Sequence, residues 1–153
     1  MPDTCFFDLE SLMRKSLCTF LTISCLAFTG SALAASNDYR EPVSNTVSVS
    51  FSDSSSTFQP GPTNAVLLEA ARDASLITIN GRTSTNRPSK RDERLALARA
   101  VSARDYLVAR GVSPLKIMIN YASAADFVVD NGTPEGRYLN QRVDIQMIYV
   151  PMY

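Results

Sequence analysis

The chain has 153 residues, with 15 Lys and Arg against 15 Asp and Glu and with no histidine. This length fits one domain with short attachments, and the balanced charge gives no indication of nucleic-acid binding. Without histidine, the chain cannot form a Ser-His-Asp or Cys-His nucleophilic site or a histidine-bound zinc site. No two carboxylates fall in a recognisable catalytic arrangement, so the sequence predicts a protein that is not an enzyme and that needs no cofactor or metal.

The first 34 residues have the three parts of a secretory signal peptide. A basic start at Met13-Arg14-Lys15 precedes a mostly apolar run over residues 16–28, and Ala32-Leu33-Ala34 is an A-x-A cleavage site. The apolar run of about 13 residues is shorter than the roughly 20 that a membrane-spanning helix needs. We therefore expect cleavage after Ala34 and a secreted mature chain without a transmembrane segment.

Two features of this segment allow other interpretations. Acidic residues precede the basic start, so Met13 is an alternative initiator to Met1. Cys25 would become the mature N-terminus of a lipoprotein, but residues 22–25 lack the leucine that is usual three places before a lipidated cysteine. All three cysteines lie before residue 35, and a mature chain without cysteine suits an oxidising compartment.

The remaining sequence predicts strands and helices in alternation. Residues 35–45 are polar and are expected to form a flexible lead-in to a domain over residues 46–153. Alternating or apolar stretches indicate strands, and apolar residues at helical spacing between Pro or Gly residues indicate helices. In chain order we expect a strand over 46–51, a helix over about 63–74, a strand over 76–80, a helix from about 90 to 110, a strand over 116–121, a short helix beginning at Thr133-Pro134 and a strand over 143–150.

The two longer helices have distinct signals. In the first, one stripe at helical spacing is expected to face the core, and it consists of Val66, Leu67, Ala70, Ala71 and Ala74. The second helix begins after Ser89, which with Asp92 resembles a capping box. It follows the polar stretch 81–90, and loops of this length are often functional.

This order of elements predicts an α/β domain. Helices between the strands imply crossover connections, a mixed four-stranded sheet and two layers, with the helices on one face of the sheet. The other face is expected to be available for a partner.

Two blocks of sequence carry a family resemblance. The first is Gly81-Arg82-Thr83-Ser84 followed by DERLALARA over residues 92–100, and the second is TPEGRYLNQRVDI over residues 133–145. They resemble the G-H-T-D, N-x-x-L-S-x-x-R-A and T-P-E-G-R-x-x-N-R-R-V-E-I patterns of the OmpA-like peptidoglycan-binding domain. That family includes the C-terminal domain of outer-membrane protein A, peptidoglycan-associated lipoproteins and flagellar stator proteins. The resemblance covers about residues 46–150 and implies the β-α-β-α-β-α-β fold of the family.

The resemblance also implies a ligand site. In the family, the Asp of G-H-T-D and the Arg of L-S-x-x-R-A hold the amino acid end of meso-diaminopimelate in the peptidoglycan stem peptide. Arg99 matches the arginine, whose planar fork suits a carboxylate. Ser84 stands at the aspartate and brings no charge for the ammonium, so Asp92, which replaces the family's Asn, is a hypothetical substitute.

The other matching positions complete the set implied by the resemblance. Thr83 belongs to the first block, and Arg82 replaces the family's His and adds positive charge. Asn140 and Arg142 match the polar pair of the second block and are expected to tie the last helix to the ligand loop.

The resemblance implies a periplasmic domain that binds peptidoglycan non-covalently and tethers an envelope assembly to the cell wall, with partners that connect it to the outer membrane. The alternative is a structural subunit of an envelope-spanning secretion, conjugation or pilus complex that keeps the fold but has weak or no affinity for peptidoglycan. The uncharged Ser84 leaves both functions open.

Overall fold

A computed structural model describes residues 40–151. The predicted signal peptide, the choice of initiator and residues 35–39 of the predicted lead-in lie outside these residues. The elements are β1 (Val43–Ser50), α1 (Pro62–Glu69), β2 (Leu76–Arg82), α2 (Lys90–Val108), β3 (Ile117–Ala122), α3 (Pro134–Asn140) and β4 (Arg142–Tyr149). The predicted order of elements is confirmed. Between residues 40 and 151, no helix has both the length and the apolar character that crossing a bilayer requires.

The four strands form one mixed sheet in the order β1-β4-β2-β3. The last strand, β4, is antiparallel to both of its neighbours, and β2 is parallel to β3. The predicted mixed four-stranded sheet is therefore confirmed. β1 begins three residues earlier than expected, because residues 43–45 pair with residues 147–149 of β4.

One face of the sheet is covered by α1 and α2. Side chains alternate between the two faces of each strand, and the apolar ones face the helices. The strands and helices contribute to one continuous core that includes Val47, Val49, Leu68, Ile77, Ile79, Ala100, Ala103, Leu107, Val143, Ile145 and Met147. The two-layer arrangement predicted from the sequence follows from this core.

The apolar stripe predicted for the first helix is wrong in part. Val66 and Leu67 are 72% and 52% exposed, whereas Leu68, Ala71 and Ala74 are buried. These buried residues are spaced by three, because the chain tightens after Glu69 into a 3-10 turn over Ala70–Arg72. A 3-10 helix has three residues per turn instead of 3.6, so the α-helical spacing used for the prediction assigned the wrong face.

The second helix begins as the sequence predicts. The backbone N–H of Asp92 donates to Ser89 Oγ at 3.1 Å, and the Ser89 hydroxyl donates to Asp92 Oδ2 at 2.5 Å. The inward face of α2 carries small side chains, Ala96, Ala100 and Ala103, all fully buried. Small residues let the helix approach the sheet closely, and Arg99 enters the protein on this same face.

The close approach is tightest at Gly81, near the end of β2. A Cβ atom at this position would lie 2.2 Å from the carbonyl oxygen of Ala96. We expect Gly81→Ala to lower the free energy of unfolding by about 1–3 kcal/mol, because α2 would have to move away from the sheet. Urea unfolding measures this change. Gly61→Ala is the matched control, since a Cβ there meets nothing within 4 Å, and an equal loss in both variants would contradict the explanation.

Candidate ligand site around Arg99

Several loops meet beside the N-terminal half of α2, at the end of the sheet where β1 and β2 finish. They are the loop between β1 and α1, the loop between β2 and α2, and the segment 123–133 that precedes α3. Hydrogen bonds connect all three, directly or through Arg99. Of the residues that the family resemblance indicates, Thr83 and Ser84 lie in this loop cluster, and the others lie on the strands and helices beside it.

Arg99 lies at the base of the loop cluster and is fully buried. Its Nε donates to the carbonyl oxygen of Ser55 at 2.8 Å, and Nη1 donates to that of Arg82 at 3.2 Å. Nη2 donates to the carbonyl oxygen of Ser52 at 3.2 Å and to Gln141 Oε1 at 2.9 Å. A guanidinium has five N–H groups, so one, on Nη1, has no acceptor within residues 40–151. A bidentate grip on a carboxylate would require the exchange of at least one of these partners.

Arg99 carries a positive charge at neutral pH despite its burial. Burial lowers its pKa from the ordinary 12.5 to about 10, and the nearby carboxylates of Asp53 and Asp92 oppose this shift. Because the pKa is lower in the folded state, desolvation of the charged group opposes folding by a constant amount at every pH below about 10. Arg99 therefore contributes no pH dependence to stability between pH 5 and 8.

Asp53 and Gln141 belong to the site, although the sequence analysis did not single them out. Gln141 Nε2 donates to Asp53 Oδ1 at 2.6 Å, while Gln141 Oε1 accepts from Arg99. The side chain of Gln141 thus links an exposed carboxylate to the buried guanidinium. In the sequence, Gln141 could have been recognised as a polar residue between the last helix and the last strand. Asp53 has no distinguishing feature in the sequence beyond its place in a serine-rich loop.

The residues of the first block surround Arg99 in different ways. Thr83 is buried, and its hydroxyl lies 3.3 Å from that of Thr85. Ser84 is half-buried, and its carbonyl oxygen accepts from Asn131 Nδ2. Asp92 lies two helical turns before Arg99, with one carboxylate oxygen held by the Ser89 hydroxyl.

Arg82 forms an ion pair with Asp126. Its Nε and Nη2 donate to Asp126 Oδ2 at 2.7 and 2.6 Å, and its Nη1 donates to the carbonyl oxygen of Gly81. Asp126 is 44 residues farther along the chain, so the sequence pattern around Arg82 does not reveal the pairing. The positive charge that Arg82 adds in place of the family's His is therefore neutralised locally.

Asn140 connects the last helix to the loop between β2 and α2. Its Oδ1 accepts from the backbone N–H groups of Val128 and Val129, and its Nδ2 donates to the Val129 carbonyl oxygen and to Asn131 Oδ1. Asn131 then donates to the Ser84 carbonyl oxygen and to Asn86 Oδ1. The connection expected for Asn140 exists and runs through Asn131, which lies outside both sequence blocks.

Arg142 lies apart from Arg99. It is the first residue of β4, and its side chain points to the sheet face opposite the helices, because the following Val143 is buried in the core. Nε of Arg142 donates to both carboxylate oxygens of Asp144, and Nη2 donates to the carbonyl oxygen of Asp126. Arg82 and Arg142 therefore both bond Asp126, in the segment before α3.

Two relatives have sequences that align with about half of this chain. The protein named "Type IV secretion system putative outer membrane lipoprotein" of Brucella suis is 36% identical over 72 residues, 47% of this chain and 42% of that protein. The "Peptidoglycan-binding protein ArfA" of Mycobacterium tuberculosis is 40% identical over 78 residues, 51% of this chain and 24% of that protein. The chain therefore spans less than half the length of these curated relatives.

Solved structures share the fold. The peptidoglycan-associated lipoprotein from Burkholderia pseudomallei superimposes with a TM-score of 0.57 at 22% identity, over 66% of this chain and 88% of that one. The cell wall anchor of the T6SS from Pseudomonas aeruginosa superimposes with a TM-score of 0.56 at 24% identity, over 69% of this chain and 82% of that one. A profile of the OmpA family matches residues 51–141, which include all three loops of the loop cluster and all of α2 and α3. The chain belongs to the OmpA family.

Proposed function

We propose that this domain binds the diaminopimelate-containing stem peptide of peptidoglycan non-covalently and holds an envelope assembly against the cell wall in the periplasm. The observation that carries the proposal is the charge arrangement at Arg99. A buried guanidinium lies at the base of the loop cluster, and the carboxylates of Asp53 and Asp92 are close enough to influence its pKa. The site thus combines the positive charge of Arg99 with the negative charges of Asp53 and Asp92.

This arrangement suits a zwitterionic amino acid group. A carboxylate on the ligand would accept from the free N–H of Arg99, and the neighbouring ammonium would need an anion. Ser84 supplies none, but Asp53 and Asp92 each have one carboxylate oxygen without a hydrogen bond in the described part of the chain. Asp53, which is exposed, is the better placed of the two to receive an ammonium from solvent.

The names of two relatives support the proposed function. ArfA is named a peptidoglycan-binding protein and shares 40% identity over half of this chain. The Brucella relative is named as a lipoprotein of a type IV secretion system. Together these names favour a domain that contacts the wall within a larger envelope assembly.

Co-sedimentation with purified sacculi tests the proposal. We expect the protein to pellet with sacculi that contain diaminopimelate and to pellet much less with sacculi that contain lysine instead. Lysine keeps the side-chain ammonium and lacks the carboxylate that Arg99 would bind, so it is a control on the ligand side. Free meso-diaminopimelate should release the protein from the first type of sacculus. Equal pelleting with both types would exclude the zwitterion as the recognised group.

Ser84→Asp should strengthen binding to diaminopimelate sacculi. One added charged hydrogen bond contributes on the order of 1.5–3 kcal/mol, which is about a tenfold to hundredfold gain in affinity. Asp53→Asn should weaken binding, because it removes a charge from the site without removing the acceptor oxygen for Gln141. Ser113→Asp adds the same charge at an exposed serine before β3 and should leave the affinity unchanged.

The alternative function is a structural subunit of an envelope-spanning secretion complex with little affinity for the wall. One observation favours it: Arg99 already donates four hydrogen bonds to its own chain. In that case the wild-type protein would remain in the supernatant, while Ser84→Asp would pellet with the sacculi. If neither protein pellets, the Arg99 site has a structural role alone.

A further inference from the structure

The sheet face opposite the helices carries polar side chains. Strand residues that alternate with the core residues point to this face, and they include Thr46, Ser48, Ser50, Asn80, Arg142, Asp144 and Gln146. Neither α1 nor α2 covers them, since both helices pack on the other face. The OmpA-type site around Arg99 leaves this face unused.

A cleft of about 600 Å³ lies on this open face. Its polar floor comes from β1, β2 and β4, and its apolar rim comes from Val128, before α3, and Leu139, within α3. Val128 is 59% exposed and Leu139 is 45% exposed. Clefts of 300–1,000 Å³ with a few convergent polar groups are typical of small-ligand sites.

The cleft contains a buried donor without an acceptor. Arg142 lines it and is only 6% exposed. Its Nε and Nη2 have acceptors, but Nη1 is the one buried side-chain nitrogen or oxygen within residues 40–151 that has no hydrogen-bond partner. A buried N–H without an acceptor opposes folding, so this position favours a ligand that brings an acceptor oxygen.

The charges in the cleft indicate what kind of acceptor fits. The carboxylate of Asp144 lies 2.9 Å from Arg142 Nε and neutralises its charge, and it also accepts from the Ser48 hydroxyl at 2.6 Å. An anionic ligand at Arg142 would approach Asp144, which has the same sign of charge. The remaining floor consists of hydroxyl and amide groups, which suit a neutral ligand rich in hydroxyls and amides.

We infer that this cleft is a subsite for an N-acetylated sugar of the peptidoglycan glycan strand. An amide carbonyl of the sugar would accept from Arg142 Nη1, its hydroxyls would bond the polar floor, and its methyl group would contact Val128 and Leu139. The inference rests on the proposed function, because it names a second part of the same wall polymer. The subsite is distinct from the Arg99 site, since the two lie on opposite faces of the sheet.

Ser50→Tyr tests the subsite. Ser50 lines the cleft, and its side chain makes no hydrogen bond among the described residues, so the substitution fills space without removing a contact. Ser44→Tyr is the matched control, because Ser44 points to the same face of the same strand outside the cleft. Binding of the purified full-length protein is measured to glycan strands freed of stem peptides by an amidase. We expect Ser50→Tyr to weaken this binding at least tenfold and Ser44→Tyr to change it less than twofold.

The same experiment separates this inference from the proposed function. Strands without peptide carry no diaminopimelate, so Asp53→Asn should leave binding to them unchanged, whereas it should weaken binding to intact sacculi. NMR titration with an N-acetylglucosamine trimer should shift the backbone amides of Ser48, Ser50 and Asn80 and leave Ser55 unshifted. Any one of three results would overturn the subsite. The wild-type protein does not bind peptide-free strands, the two tyrosine variants bind them alike, or the trimer produces no shifts because water alone satisfies Nη1.

Discussion

Arg99→Ala is expected to lower the free energy of unfolding by about 3–5 kcal/mol. The guanidinium is fully buried and donates four hydrogen bonds. Its removal takes a donor from the carbonyl oxygens of Ser52, Ser55 and Arg82 and from Oε1 of Gln141, of which the Ser52 oxygen keeps the backbone N–H of Ser55. Buried acceptors that lose their donor are costly. Equilibrium urea unfolding followed by circular dichroism measures the loss.

Two further variants identify the cause of the loss. Arg99→Lys keeps a positive charge but lacks the planar fork that donates in three directions, so we expect it to recover only part of the stability. Arg104→Ala removes another arginine of α2, whose side chain bonds only the exposed neighbour Asp105. Such a surface change should stay within about 0.5 kcal/mol. Equal losses for Arg99→Ala and Arg104→Ala would contradict a structural role for the buried guanidinium.

This expected loss changes how binding experiments should be read. Arg99→Ala would abolish retention on sacculi whether Arg99 contacts the ligand or only supports the loops around it. Asp53→Asn is a cleaner test, because Asp53 is exposed and the asparagine oxygen can still accept from Gln141. Loss of binding in Asp53→Asn without loss of stability would therefore assign the ligand to this site.

The sequence predicted those parts of the fold that depend on neighbours along the chain. The Ser89–Asp92 cap is confirmed because the two residues lie within one helical turn. The order of strands and helices along the chain is confirmed because the alternation of apolar and polar residues is a local pattern. The face of α1 was wrong because it depends on where Glu69 passes into a 3-10 turn. Such a transition has no signature in the apolar spacing.

The candidate site was predicted by its position in a motif, and its internal contacts were not. Arg99 could be identified from the first block, but its partners Ser52 and Gln141 lie 47 and 42 residues away along the chain. Asp126, which pairs with Arg82, has a φ of 54°, in the left-handed region. A non-glycine residue in that conformation is uncommon, so no pattern of residue types would have placed its carboxylate at Arg82.

Asn140→Ala is expected to lower the free energy of unfolding by about 2–3 kcal/mol and to loosen the segment before α3. Asn140 is fully buried, and it accepts from the N–H groups of Val128 and Val129 at 2.9 and 3.5 Å. It also donates to the Val129 carbonyl oxygen at 3.0 Å and to Asn131 at 3.2 Å. Alanine would leave all four backbone and side-chain partners unpaired, and the connection to the Ser84 loop would be lost with them.

The local effect distinguishes this role from general destabilisation. Hydrogen exchange should accelerate at the amides of Val128 and Val129 in Asn140→Ala by more than the global loss of stability explains, because both donors lose their acceptor. Asn120→Ala is the matched control, since that side chain makes one exposed hydrogen bond at 3.3 Å, to Asn80. It should change stability by less than about 0.5 kcal/mol. Uniform exchange across the domain in Asn140→Ala would show that Asn140 supports the core as a whole and does not hold this segment in place.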